Sequence, residues 1–234
     1  MGQIELYIHN STLNKTFAPI VKDNIIWETQ RQGAAGRLSF TVVKDKTIDF
    51  SEGDAVIFKY KSKPIFFGYV FSKSRDKEQH ISVVAYDQLR YMKNKQTYVY
   101  TNKTASEVLK MVADDFQLKT GSIEDTKYKI ASKIEENTTL FDIIQNAMND
   151  TLLSTNELFV LYDDFGKLAL KNIKSMKIPT DFAITEDTVE NFEYKTDIDS
   201  ITYNKIILYA DDKKTNQKKA FVAQDADKIN KWGV

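Results

Sequence analysis

This chain of 234 residues carries 33 basic and 33 acidic side chains and no cysteine. A zero net charge gives no support for nucleic acid or an anionic membrane as the main partner, because such partners select a basic surplus. The lack of cysteine excludes disulfide bridges, thiol catalysis and cysteine-based zinc sites. The length favours two or three compact units.

No stretch approaches the roughly 20 apolar residues that a membrane-spanning helix needs. The N-terminal residues MGQIELYIHN lack the apolar run of a signal peptide and alternate like a strand instead. We therefore expect a soluble protein without a membrane partner, which stays in the compartment where it is made.

Residues 3 to about 86 are predicted to be strands throughout, because apolar residues alternate with polar ones at a period of two. Charged or proline-containing turns such as Ser62-Lys63-Pro64 separate the runs. The alternating residues that mark the strands are Ile4, Leu6, Ile8, Leu38, Phe40, Val42, Val56, Phe58, Tyr60, Ile81, Val83 and Ala85. Several short strands at this spacing predict a barrel or a sandwich, ended by a short helix at 87–93.

The period changes in residues 96–180, where a small α+β domain is predicted. Thr104 and Glu107 form a capping-box pattern, in which each side chain bonds the backbone amide of the other at a helix N-terminus. Apolar residues at helical spacing extend this helix over 104–116, and a second stripe predicts a helix over 139–152. Two short strands joined by a turn at 163–166 complete the domain as a hairpin.

Residues 181–234 return to a strand pattern, with strands predicted near 190–196, 201–210 and 219–224. So few strands do not make a stable isolated sheet unless one face is buried. We therefore expect them to pair with the first sheet, with another subunit or with residues beyond this sequence.

Five segments, in this order and spacing, together resemble one protein family. They are GAAGRLSFTV at 33–42, EGDAVIFKYKSKPIFFGYVFSKSRDKEQHISVVAYDQLRYMKNK at 52–95, ENTTLFDIIQNAMNDT at 136–151, FVLYDDFGKLALKNI at 159–173 and SITYNKIILY at 200–209. The chain resembles the XkdQ-type baseplate hub proteins of contractile phage tails and phage-tail-like bacteriocins. This resemblance implies a mainly β fold: a tube-like β-barrel domain at 1–95, an α+β domain at 96–180 and part of a second β-barrel at 181–234.

The resemblance also implies a structural role without covalent chemistry. In such hubs two tube-like barrels per subunit let three chains match the six-fold tail tube to the three-fold central spike. The implied partners are two further copies of the chain, the tube protein, the spike protein and other baseplate proteins, with no specific nucleic acid. The implied location is the baseplate of a virion or tail-like particle assembled in the bacterial cytoplasm.

The segment at 211–219 mixes charges of both signs between the last two predicted strands. Its plain interpretation is a solvated hairpin loop. Its functional interpretation is a loop that contacts a neighbouring ring or spike. The candidate partner-contact residues are Lys213, Lys214, Lys218 and Lys219.

Two features have catalytic counterparts in other proteins. Asp164-Phe165-Gly166 matches the metal-binding tripeptide of protein kinases, but the other kinase motifs are absent, and a hairpin turn with glycine at positive φ explains it. His9 and His80 lie on separate predicted strands, with no carboxylate or serine motif beside either. We expect ordinary strand or surface histidines and a structural turn.

Three pairs of adjacent acidic residues could serve as the paired carboxylates of a glycosidase, although each lies at a predicted helix end or turn. The pairs are Asp114-Asp115, Asp163-Asp164 and Glu186-Asp187. We expect no catalytic, cofactor-binding or metal-binding residue and no enzyme. The alternative is a tail module that binds or hydrolyses peptidoglycan or another carbohydrate, marked by exposed aromatics beside paired carboxylates. A stand-alone ligand-binding barrel would instead need an enclosed apolar pocket.

Overall fold

The structure is a computed structural model that describes residues 4–22, 25–178, 185, 193, 195–198, 202–212 and 217–233. The chain divides into two compact units, Met1–Ile178 and Pro179–Val234. The boundaries of the three domains expected from the sequence stay predictions.

Seven strands of the first unit form one sheet. They are β1 (Ile4–Asn10), β2 (Lys15–Phe17), β3 (Ile26–Glu28), β4 (Arg37–Val43), β5 (Ala55–Tyr60), β6 (Lys63–Arg75) and β7 (His80–Tyr86). Their order in the sheet is β2-β1-β5-β6-β7-β4-β3, and every pairing is antiparallel. This arrangement confirms the strand pattern predicted for this part of the chain.

Alternation places one side of each strand in a first hydrophobic core. Its buried members are Leu6, Ile8, Leu38, Phe40, Val42, Ile48, Phe50, Val56, Phe58, Phe66, Val70, Ile81, Val83 and Ala85. Ile4 and Tyr60, which continue the same alternation, are exposed instead. They are paired with each other where β1 and β5 end, so the core does not reach them.

The segment that contains β2 and β3 connects the two edges of this sheet. β2 pairs with β1, whereas β3, a few residues later, pairs with β4 at the opposite edge. Between them the amide of Lys22 donates to the Thr41 carbonyl, and the amide of Val43 donates to the Ile20 carbonyl, both at 2.9 Å. The sheet is therefore barrel-like, although its ladder is not continuous, and the mainly β fold class is confirmed.

The rest of the first unit mixes helices with short strands. Its elements are a first 3₁₀ helix (Gln88–Lys93), β8 (Lys95–Lys103), α1 (Ala105–Asp115), β9 (Thr120–Ile123), β10 (Ile130–Thr139), α2 (Leu140–Thr155), β11 (Phe159–Asp163), β12 (Leu168–Asn172) and a second 3₁₀ helix (Ile173–Met176). β8 pairs with β10, while β11 pairs with β12, which lies parallel to β9.

Caps define where the two long helices begin. Thr104 Oγ1 accepts the Glu107 amide at 3.2 Å, and Glu107 Oε2 accepts the Thr104 amide at 2.8 Å, which is the predicted capping box. α2 begins after Thr139, whose Oγ1 accepts the Asp142 amide at 3.1 Å. Both predicted helices are thereby confirmed to within a few residues.

The two helices and the short strands enclose a second core. It contains Ala35, Leu89, Met92, Tyr100, Ala105, Val108, Leu109, Val112, Ala113, Ile130, Leu140, Ile143, Ile144, Ala147, Met148, Phe159, Leu161, Leu168 and Leu170. Ala35 comes from the turn before β4, and the partly buried Tyr86 of β7 packs against the same core, so the first sheet and its turn contact the second core. The first unit is thus one compact body with two cores.

The second unit contains β13 (Lys205–Asp212), β14 (Gln217–Gln224) and α3 (Ala226–Trp232) among its described residues. The strands predicted near 201–210 and 219–224 are confirmed. The strand predicted near 190–196 lies mostly outside the described residues.

The longest helix within the described ranges is α2, with 16 residues. None of the helices in this part of the chain combines the length and the apolar character needed to span a bilayer.

Candidate functional site

The outer side of β6 is aromatic, and it faces the elements of the second core. Phe67, Tyr69 and Phe71 alternate with the buried Phe66, Gly68 and Val70, so their rings lie on the side away from the first core. The Tyr69 ring lies 6.4 Å from Tyr91, and the Phe71 ring lies 6.1 Å from Tyr91. Aromatic packing therefore joins the sheet to the first 3₁₀ helix.

The β11–β12 turn packs on the same face. Gly166 has φ +82°, and a Cβ atom there would lie 2.5 Å from Cδ1 of Phe67. The Phe165 ring lies 5.9 Å from the Phe67 ring. The structural interpretation of Asp164-Phe165-Gly166 as a hairpin turn is confirmed, and its glycine has a second purpose that the sequence did not reveal. It lets the turn approach β6 closely.

A cleft of about 570 Å³ lies beside this contact. Its walls come from β3, from the start of β6 and from the β11–β12 hairpin. The residues that characterise it are Trp27, Ile65, Asp87, Asp163, Phe165 and Met176. It is a mainly apolar cleft with two carboxylates in its wall.

Asp87 is 5% exposed, and its two oxygens are both used. Oδ2 accepts the Gly36 amide at 2.8 Å, and Oδ1 accepts the Leu89 amide at 2.9 Å as the cap of the first 3₁₀ helix. Burial, followed by the negative charge of Asp163, raises the pKa of Asp87 to about 7. The amide hydrogen bonds act in the opposite direction but are outweighed.

Asp163 has one satisfied oxygen and one buried oxygen without a hydrogen bond of good geometry. Oδ1 accepts the Gly166 amide at 2.7 Å, which holds the β11–β12 turn. Oδ2 has no hydrogen bond of good geometry within the described part of the chain, although Gln88 lies close enough to lower the pKa of Asp163. Burial is the main cause that raises the pKa of Asp163 to about 6, and the neighbouring charge of Asp164 adds to it.

The described members of the acidic pairs singled out in the sequence lie in different surroundings. Asp163 is brought close to Asp87, which the sequence did not suggest as its partner, while Asp164 is exposed. Asp115 Oδ2 accepts the Tyr98 hydroxyl at 2.5 Å at the end of α1. Glu186-Asp187 lies outside the described residues. A glycosidase pair needs an acid and a base that both reach a sugar, which these buried or separated groups do not provide.

The expectation that no carboxylate lies beside either histidine is wrong for His80. Its Nδ1 lies 3.1 Å from Asp76 Oδ2 and 3.6 Å from Glu78 Oε2, and the Lys22 ammonium lies 3.5 Å from the same nitrogen. Asp76 Oδ1 also accepts the amides of Glu78 and His80, so these residues form the β6–β7 turn. The sequence did contain a signal for this contact, because Asp76, Glu78 and His80 are spaced two residues apart in a predicted turn.

The three side chains could hold a metal ion by distance alone. Two observations favour a structural turn instead: Asp76 is occupied by the turn amides, and the Lys22 charge lies against His80. His9 lies elsewhere, with Nδ1 3.0 Å from Thr16 Oγ1 across the β1–β2 pair.

The β13–β14 pair is apolar on both of its faces. Directly opposite residues share a face, so Ile206 and Leu208 lie with Phe221 and Ala223, while Ile207 and Tyr209 lie with Val222 and Ala220. Leu208 is 64% exposed and Tyr209 is 70% exposed within the described residues. A strand that is apolar on two faces is typical of sheets that are covered on both sides.

Two of the four candidate partner-contact lysines lie in a strand and not in a loop. Lys218 and Lys219 belong to β14, opposite Asp211 and Ala210, so the predicted loop at 211–219 is too long. Lys213 and Lys214 lie outside the described residues. Pairing of Asp211 with Lys218 across the strands explains why the ladder continues into the charged segment.

Comparison with known proteins identifies a matching family model and similar proteins. A family profile described as YQBQ-like matches residues 25–234. The chain is 33% identical over 239 residues to the phage-like element PBSX protein XkdQ of Bacillus subtilis (strain 168), covering 99% of this chain and 70% of that protein.

Two solved structures have a similar fold. A tail protein from Neisseria meningitidis MC58 has a TM-score of 0.70 at 13% identity, covering 96% of this chain and 68% of its own. The prophage tail protein gp18 from Listeria monocytogenes EGD-e has a TM-score of 0.62 at 14% identity, covering 98% of this chain and 70% of its own. At these identities the likeness concerns the fold alone.

Proposed function

This chain belongs to the YQBQ-like family, and we propose that it is a structural baseplate hub protein of a contractile tail. As a homotrimer it joins the six-fold tail tube to the three-fold central spike, with other baseplate proteins around it. The particle assembles in the bacterial cytoplasm. The role needs no cofactor, no membrane and no specific nucleic acid.

The β13–β14 pair is the observation that carries this proposal. Its two apolar faces require two covering surfaces, and an assembly of repeated chains supplies them. The barrel-like sheet of the first unit supports the same role, since three chains that each contribute two sheet units can match a six-fold ring. The printed names agree with it, since the two solved structures are called tail proteins and XkdQ is called a protein of a phage-like element.

The hub role predicts a defined oligomer. We expect the chain to form a three-chain species when it is mixed with its tube and spike neighbours, measured as mass by light scattering after size exclusion. Reversing two charges with Lys218→Glu and Lys219→Glu should weaken this association about tenfold if β14 lies at the contact. Lys77→Glu with Lys110→Glu is the matched control, because both lysines are exposed in the first unit. A monomer in every mixture would contradict the role.

A structural hub has no hydrolytic activity. We expect the purified chain to leave peptidoglycan intact in a turbidity assay over several hours. Clearing that disappears in Asp163→Asn would instead assign the cleft to hydrolysis and replace the structural role. Asp164→Asn is the control for a general effect of removing a charge from the turn, since Asp164 is exposed.

A further inference from the structure

Asp87 and Asp163 approach the cleft from the two sides of the contact between the cores. Asp87 directly follows β7 of the first sheet, whereas Asp163 is the last residue of β11 in the three-stranded sheet. Both line the same cleft of about 570 Å³. Their mutual charge repulsion therefore acts across the joint between the first sheet and the β11–β12 hairpin.

Each carboxylate holds a backbone element of that joint. Asp87 binds the Gly36 amide, and a Cβ atom on Gly36 would lie 2.5 Å from Asp87 Oδ2, so the glycine is what allows this carboxylate to approach the turn before β4 so closely. Asp163 binds the Gly166 amide and so fixes the turn that packs on Phe67. A change in charge at either residue consequently acts on elements that contact both cores.

The charged groups around the pair do not neutralise it. Asp164 adds a third negative charge next to Asp163, and Arg31 lies on the lining of the cleft. Among the described residues neither Asp87 nor Asp163 takes part in an ion pair. Ionising both carboxylates thus places two unbalanced charges in a mainly apolar wall.

We propose that the Asp87–Asp163 pair makes the contact between the first sheet and the β11–β12 hairpin sensitive to pH. While a proton neutralises at least one of the two carboxyls, the hairpin turn stays packed on Phe67. When both are ionised, their repulsion and the cost of burying two charges move the turn away from β6 and widen the cleft.

The direction of the response follows from the protonation of the folded chain. The pKa of Asp163 is raised to about 6 and that of Asp87 to about 7, so both are neutral in acid and both are charged above neutrality. In the unfolded chain both ionise near 4. Stability contributed by the neutral pair is therefore fully present below about pH 4 and is lost as the pH rises from there through about 6 to 7.

The fluorescence of Trp27 reports on the cleft, because this side chain is the one tryptophan among the described residues that line it. The other tryptophan of the chain, Trp232, is replaced in a Trp232→Phe background of the full chain. We expect the emission of Trp27 to change between about pH 5 and 8, with a midpoint between about 6 and 7. Asp163→Asn should abolish the change, since it keeps an oxygen for the Gly166 amide but removes the charge.

Asp164→Asn is the matched control, and it should keep the transition with only a small shift of its midpoint. Amide exchange provides a second measurement: the Gly166 amide should be less protected at pH 8 than at pH 5 after correction for the intrinsic exchange rate. A flat titration of Trp27, a transition that persists in Asp163→Asn, or one that disappears in Asp164→Asn would each overturn the proposal.

Discussion

Replacing Leu140 by alanine is expected to lower the free energy of unfolding by roughly 3 to 5 kcal/mol. Leu140 is fully buried in the second core at the start of α2. The substitution removes apolar contacts and leaves a cavity among Ile143, Ile144 and the strands that face them, and a packed interior does not collapse fully to fill it. Urea unfolding followed by far-ultraviolet circular dichroism measures the loss, since α1 and α2 lie in this unit.

Leu153→Ala is the matched control, because it makes the same chemical change on the same helix. Leu153 is 85% exposed, so its truncation should change the unfolding free energy by no more than about 0.5 kcal/mol. Equal losses in the two variants would mean that the second core does not contain the start of α2.

Replacing Gly68 by alanine should destabilise the first sheet by roughly 3 kcal/mol or more. A Cβ atom at this position would lie 2.3 Å from the carbonyl oxygen of Tyr86 and 2.5 Å from Cζ of Phe66. The first neighbour is backbone, so it cannot rotate out of the way, and β6 and β7 have to separate. We expect a lower urea midpoint and a weaker near-ultraviolet signal from the aromatic rings on β6.

Gly121→Ala is the control for the general effect of adding a methyl group to a strand glycine. Its Cβ would lie 3.2 Å from Cβ of Lys167 and 3.6 Å from the carbonyl oxygen of Leu168, and Gly121 belongs to the edge strand β9, which can shift slightly. We expect a change within about 1 kcal/mol, since lower entropy of the unfolded chain offsets part of the crowding. If Gly121→Ala were as damaging as Gly68→Ala, the close approach of β6 and β7 would not explain the effect.

Local patterns were sufficient to predict most of the fold. Alternation predicted the strands of the first sheet, and the Thr104–Glu107 pair predicted where α1 begins. These signals are strong because the residues that form each of them lie within a few positions in the chain. The predicted loop at 211–219 is too long because it was inferred from local charge alone. Residues of opposite charge that face each other across two strands extend the strand pairing instead.

Local patterns could not predict the contacts between residues that are far apart in the sequence. Asp87 and Asp163 are far apart in the chain, and nothing near either one indicates the other. Asp87 could have been recognised as a helix cap, since it precedes the predicted short helix, but capping does not reveal burial beside a second carboxylate. The contact of Gly166 with Phe67 likewise depends on how two sheets pack, and a turn glycine is expected whether or not anything lies against it.

The order of the first sheet has a consequence for synthesis on the ribosome. Among the strands of this sheet β1 is synthesised before the others, but its long partner β5 begins only at Ala55. Among the described strands, β2 is the one partner that β1 can find within its own neighbourhood. The ribosome adds roughly 5 to 20 residues per second, so without β2 the strand β1 would have no pairing partner for seconds. The short β1–β2 hairpin thus pairs one edge of β1 before β5 is available for the other edge.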